Sequence, residues 1–140
     1  MGELETGRER FAVRVDLGPS DGKIIGAGPI TGSINAVRIK HDGQVVTEVP
    51  QGDNFDVEVD VSAQNPGATS WAICATMITT GGQLPNYDVT RHYTGPTINV
   101  TMKLDEMGQP GPMPANDITL RIRLFGNQDA ASTPPPQSEW

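Results

Sequence analysis

Three carboxylates at alternate positions, Asp56, Glu58 and Asp60, with Asp53 just ahead of them, form the densest set of metal-capable side chains in the sequence. On an extended strand such residues share one face at intervals of about 6.6 to 7 Å. A hard cation gathers its oxygens at about 2.3 to 2.6 Å from one centre, so an evenly spaced row does not enclose it without help from a loop. The row therefore reads as the solvated face of a sheet, and no metal is expected. His41 and His92 are far apart in sequence, and neither has a second His or a carboxylate at zinc-ligand spacing. Cys74 is the single cysteine, which excludes an internal disulfide and a thiolate cluster built from this chain alone. Its neighbours Ile73 and Ala75 mark it as a buried structural thiol. No Ser or Cys sits in a nucleophile elbow, so no catalytic residue is assigned and the chain is not expected to be an enzyme. The run Gly26 to Gly32 is similar to a dinucleotide fingerprint. Its sixth position is Thr31, however, and no helix follows to receive a pyrophosphate, so no cofactor is expected. Asn99-Val100-Thr101 fits the glycosylation acceptor pattern but lies inside a strand pattern and reads as chance. Arg121 and Arg123 are candidate interface residues, placed to face Asp56, Glu58 or Asp60 across a sheet or a subunit boundary.

These residues sit on a chain of 140 residues, long enough for one domain, with a formal charge of −7. No excess of Lys or Arg exists to neutralise phosphates or anionic headgroups, so neither nucleic acid nor a membrane surface is an expected partner. No apolar run approaches the roughly 18 to 20 residues that span a bilayer. Met1 to Arg10 lack the apolar middle of a secretory signal, so no leader is expected. Sixteen Gly and 12 Pro, one residue in five, accompany an abundance of Val, Ile and Thr. Turn formers and β-branched residues disfavour a helical bundle.

Alternation of apolar and polar residues recurs along the chain. It begins at Phe11 to Leu17, and Gly and Pro then break the pattern from Gly18 to Gly32, a long loop or arm. Ser33 to Lys40 predicts a strand whose phase slips at Asn35-Ala36, as a β-bulge causes. Asp42-Gly43 turns it into Val45 to Val49. Phe55, Val57, Val59 and Val61 then alternate with the three carboxylates. Asn65-Pro66-Gly67 is a turn before Thr69 to Thr80, which carries Trp71 and Ile73. Tyr87 to Tyr93 and Thr97 to Leu104, with Ile98 and Val100, follow, separated by Gly95-Pro96. A second long loop spans Asp105 to Pro114, and Ile118 to Leu124, with Leu120 and Ile122 inward, is the last strand. The segment after Gly126 is Pro-rich and ends at Trp140, an aromatic residue suited to anchoring an interface.

Seven to eight short strands without helical periodicity predict an all-β, immunoglobulin-like antiparallel β-sandwich. The expected division is an N-terminal strand and arm over 1–32, the sandwich over 33–126 and a tail over 127–140. Its core is built from Phe55, Val57, Val59, Val61, Trp71, Ile73, Ile98, Val100, Leu120 and Ile122.

The segments VPQGDNFDVEVDVSAQNPGATSW (Val49 to Trp71) and MPANDITLRIRLFG (Met113 to Gly126) carry a resemblance. A Gly-Asp turn leads into an alternating strand, an Asn-x-Gly turn follows, and a Met-Pro-x-x-Asp turn introduces the last strand. In this pattern Ile34 to Phe125 resembles the cell-adhesion-related (CARDB-type) domains of bacteria and archaea and their immunoglobulin-like relatives. A lone sandwich with extended termini also resembles, in organisation, small decoration or cement proteins of viral capsids. That likeness implies a non-enzymatic structural protein on a virion surface, assembled in the host cytoplasm. Its partners would be a major shell protein and copies of itself, a trimer suiting such a shell. The competing expectation is an adhesive or ligand-binding module of a cell-surface or extracellular assembly.

Overall fold

The structure is a computed structural model that describes residues 8–17, 24–25, 30–82, 84, 87–104 and 112–127. The plainest alternation in the sequence gives the most regular strand. In β6 (Asp56–Gln64), Val57, Val59, Val61 and Ala63 are buried while Asp56, Glu58, Asp60 and Ser62 stay partly open to solvent. β6 pairs antiparallel on one side with β3 (Thr31–His41) and on the other with β9 (Thr97–Lys103), and β4 (Gln44–Val45) flanks β3. The expected bulge is present: the register of β3 on β6 slips between Ile34 and Ala36. That extra residue keeps both Ile34 and Ile39 on the buried side. Asp42 and Gly43 take φ of 51° and 79° between β3 and β4, the left-handed pair that suits a two-residue hairpin.

The second sheet is centred on β7 (Ser70–Gly81) and β10 (Ile118–Asn127), which run antiparallel, with β8 (Tyr87–Thr94) beyond β7. The inward phases of β7 and β10 supply Trp71, Ile73, Met77, Ile118, Leu120, Ile122 and Leu124 to one core shared with β6, β9 and Phe55. Nine of the ten core residues expected from the sequence belong to this cluster, and Val100, partly exposed, packs against it. The other phase of β7 is buried too, at Ala72, Cys74 and Thr76, as a nearly continuous apolar run allows. The protein is therefore an all-β sandwich of two packed sheets. Among the described residues there is no helix, and so none long and apolar enough to cross a membrane.

Three local expectations change. Val45 to Val49 is not one strand: after β4 the chain leaves the first sheet and joins the second as β5 (Glu48–Pro50). The backbone hands over at this corner, where the Val46 N–H donates to the Ile39 carbonyl at 2.8 Å and Thr47 accepts from the Val13 N–H at 3.0 Å. Within Gly18 to Gly32, Ile24 and Ile25 form a short strand, β2, parallel to β10, and β3 already begins at Thr31. Gly32 at the start of β3 and Gly126 on β10 serve close packing against this segment. A Cβ on Gly32 would lie 2.8 Å from Ile24 Cδ1, and one on Gly126 would lie 2.9 Å from Ile30 Cγ2. Finally, β1 (Arg10–Asp16) is inserted between β5 and β10, antiparallel to the first and parallel to the second. Val13 and Ile30 thus enter the same core as the sandwich. The expected tail loses its first residue, since Asn127 ends β10, and the remainder of the arm, most of the Asp105 to Pro114 loop and residues 128–140 lie outside the described residues.

Trp71 joins the sheets. Its ring is fully buried 5.5 Å from that of Tyr93, and its Nε1–H donates to the Gly95 carbonyl at 2.7 Å, in the turn where the chain passes from β8 to β9. Replacing Trp71 by Ala removes area and leaves a cavity, an expected cost of about 3 to 5 kcal/mol. Trp71→Phe keeps most of the area and loses the hydrogen bond, an expected cost nearer 1 to 2 kcal/mol. Urea melts of the two variants check both the size and the order of these losses.

Candidate interaction surfaces

The outer face of the first sheet is ordered by its register. Cross-strand rows over β3, β6 and β9 read Arg38–Glu58–Lys103, then Ala36–Asp60–Thr101, then Ser33–Ser62–Asn99, then Thr31–Gln64–Thr97. The face therefore divides into a charged half and an uncharged half. In the charged half Arg38 lies across two of the three carboxylates. Its Nη1 and Nη2 donate to the two Asp60 oxygens, each at 2.8 Å, and its Nε donates to Glu58 Oε1 at 3.0 Å. Lys40 Nζ stands 3.7 Å from Glu58 Oε2, and the Thr101 hydroxyl donates to Asp60 Oδ1 at 2.6 Å. Arg38, then Thr101, hold the Asp60 carboxyl well below the usual carboxylate range. Asp60, then Glu58, push the Arg38 guanidinium up in turn. A bidentate fork of this kind uses the lone pairs that a cation would need. Among the described residues no three His, Cys, Asp or Glu side chains gather in a metal-binding group.

In the uncharged half, Ser33 Oγ donates to Asn35 Oδ1 at 2.9 Å, Asn35 Nδ2 donates to Ser62 Oγ at 2.7 Å, and Ser62 Oγ donates to Asn99 Oδ1 at 3.3 Å. The short Ser side chains leave a shallow depression of about 290 Å³, bounded also by Thr31, Gln64 and Thr97. Asn99, the acceptor position of the Asn-x-Thr pattern, is exposed there.

The expected arginine pair lies elsewhere. Arg121 and Arg123 are on β10, in the other sheet, and within the chain they do not face Asp56, Glu58 or Asp60. Both meet the end of β1 instead. Arg121 Nε is 3.8 Å from Asp16 Oδ2, and the Arg123 Nη1 donates to the Asp16 carbonyl at 2.9 Å. Arg123 is buried, which pushes its guanidinium pKa down, so it is part of the body of the sheet rather than of an open surface. Trp140 falls outside the described residues. Burial likewise raises the Cys74 thiol, in keeping with an inert structural position. His92 is exposed on β8, whereas His41 accompanies Arg8 in binding Asp53, its Nε2 at 2.9 Å from Asp53 Oδ2.

Sequence reasoning missed Arg38 and Lys40 as partners of the acidic row. Their signal was present in the alternation of Arg38 and Lys40 behind the bulge, but pairing β3 with β6 required the register. No family model matches the chain, and no curated protein or solved structure matches it.

Because the folded protein favours ionised Asp60, the Arg38–Asp60 pairing stabilises the fold above the ordinary aspartate value of 3.8. That contribution is lost as pH falls below this value toward the depressed folded one. Both side chains are about one-third exposed, which screens the pair and keeps the effect modest. Arg38→Ala should therefore lower the urea midpoint at neutral pH, and its difference from wild type should shrink below about pH 4. Midpoints measured across this range check the sign.

Proposed function

We propose that the chain is a non-enzymatic structural protein that decorates or reinforces a virion or comparable protein shell, through contacts with the shell protein and with copies of itself. The observation that carries this reading is the way the N-terminal segment docks. β1 and β2 lie along one edge of β10, over Ile118–Arg121 and Leu124–Phe125, by parallel backbone pairing. An extended segment that adds a strand to its own body uses chemistry equally suited to adding one to a neighbour. Polar contacts fix its ends: Arg8 on Asp53, the Ala12 N–H on Asp117 Oδ1 at 2.9 Å, and Arg14 Nη1 3.4 Å from Asp117 Oδ2. The Ala12 N–H, then Arg14, hold the Asp117 carboxyl below its usual range.

The strand order supports the immunoglobulin-like reading, on which the CARDB-type resemblance rests. β3-β6-β9 stand opposite β10-β7-β8, with β1 filling the remaining edge. A closed homo-oligomer, a trimer by preference, on a virion surface follows from this reading. The second reading, an adhesive or ligand-binding module, is favoured by the uncharged depression on the first sheet.

Asp16 and Arg121 are register partners, which allows a direct test of subunit linkage. Chains carrying Asp16→Cys and chains carrying Arg121→Cys are refolded together and oxidised. Interlocked copies give a disulfide-linked dimer on a denaturing gel, whereas linkage only within a doubly substituted chain shows that the arm serves its own body alone. For the shell itself, deletion of Gln128 to Trp140 should lower occupancy on native particles seen by electron microscopy while leaving the urea midpoint unchanged. Full occupancy by the truncated chain counts against an anchoring tail, and a chain absent from any particle counts against the shell reading.

A further inference from the structure

We propose that the uncharged depression on the outer face of the first sheet binds a neutral carbohydrate, one sugar residue at a time. Six side chains from three adjacent strands surround it in two cross-strand rows, Thr31–Gln64–Thr97 and Ser33–Ser62–Asn99. Each is a hydroxyl or a carboxamide. Between them they offer donors and acceptors in mixed order, as a ring of sugar hydroxyls does in return. Gly32, Ala63 and Ile98 complete the lining, the last two with side chains buried in the core.

The polar groups are partly oriented before any ligand arrives. The chain of hydrogen bonds from Ser33 through Asn35 and Ser62 ends on Asn99 Oδ1, which leaves the Asn99 Nδ2 donors turned away from Ser62. A fixed amide spares a ligand the entropy of ordering it. Thr31, Gln64 and Thr97 are exposed, and among the described residues none of the three makes a side-chain hydrogen bond.

Three features set the ligand class. No ionisable side chain lines the depression, and the nearest carboxylate row begins at Asp60, already forked by Arg38. Sulfated, phosphorylated or carboxylated ligands therefore meet no cation, and the chain's −7 charge repels them. The lining holds no Trp, Tyr or Arg to serve as the buried anchor of a protein interface. With no aromatic ring to stack on a sugar, the single-site affinity is weak, in the millimolar range, and becomes useful when many copies are displayed together. The proposal does not rest on the shell reading; a chain that binds sugar without joining any particle leaves it standing.

The test is a titration of the ¹⁵N-labelled full chain, followed by amide shifts, with the methyl glycosides of glucose, galactose and mannose and with N-acetylglucosamine. At least one sugar should shift the amides of residues 31–33, 62–64 and 97–99 along one saturation curve, leaving Arg38, Glu58 and Asp60 unmoved, with little dependence on salt. Ser62→Leu fills the depression and should weaken binding about tenfold or more. The exposed double substitution Gln64→Ala with Thr97→Ala should do the same, and it stands in if Ser62→Leu disturbs the spectrum. Glucuronate should bind more weakly than glucose. The proposal is overturned if none of the four sugars moves these amides, if a folded variant binds as wild type does, or if glucuronate binds more tightly.

Discussion

The closure of β10 by β1 is the contact on which the sandwich depends, because it turns the open edge of the C-terminal strand into an interior one. It joins residues far apart in sequence: Ala12 and Asp117 are 105 positions from each other. Closing so long a loop is unfavourable, but the cost rises only logarithmically with length. Burial of Val13, with Phe11 and Leu17 packed against the core, offsets it together with the ladder to Ile118–Arg121. Without β1 the edges of both β5 and β10 would stand open, and an unpaired edge is a template for uncontrolled association. The same closure explains why glycine stands at Gly32 and Gly126. The chain must pass from β1 to β2 along β10 and then cross to the other sheet, and only glycine allows Ile24 and Ile30 to press on the backbone at Gly32 and Gly126.

Charge sets the register of this closure. The Arg123 guanidinium is buried, and burial disfavours its charged form. Its hydrogen bond to the Asp16 carbonyl holds the end of β1 in place, and Asp16 supplies a compensating negative charge nearby. A slip of β1 by one residue would withdraw that carbonyl and turn Val13 out of the core. At the other end of the strand Arg8 reaches Asp53, whose carboxyl Arg8 and then His41 hold below the usual range. The N-terminal strand is thus fixed at both ends by electrostatics and in the middle by one buried valine.

The parts of the fold that were legible from the sequence are those where burial alone decides. Val57, Val59 and Val61 alternate with acids because one face of β6 meets the core and the other meets water, and the bulge at Asn35-Ala36 showed as a slip of the same period. Asp42-Gly43 was legible because its backbone requires φ values that few residue pairs accept. What could not be read was pairing between distant segments. Nothing in Phe11 to Leu17 says that its partner is Ile118 to Arg121, or that the alignment is parallel. Val45 to Val49 gives no sign that its two ends belong to different sheets, since each half has the composition of a strand. The candidate surfaces show the same limit: charge alone matches Arg121 and Arg123 to the carboxylates, but within the chain the sheet order brings Arg38 and Lys40 there instead.

The division of the outer face into two halves follows from that pairing. On a chain with a surplus of acids, a neutral zone persists beside the row of carboxylates only if those charges are satisfied locally. Arg38 does this by engaging Asp60 with both terminal nitrogens and Glu58 with the third. Its fork also fixes where the field of the acidic row ends, one cross-strand step before Ser62 and Asn99. Beyond that step the side chains are short and uncharged, so the surface dips and its hydrogen-bonding groups bond to one another in a defined direction. The bulge at Asn35 contributes to both halves: it brings Arg38 into phase with Glu58 on one side, and it frees Asn35 to bridge Ser33 and Ser62 on the other. One inserted residue in β3 therefore positions the ion pair and shapes the neutral depression, which makes the two halves consequences of a single irregularity in the sheet.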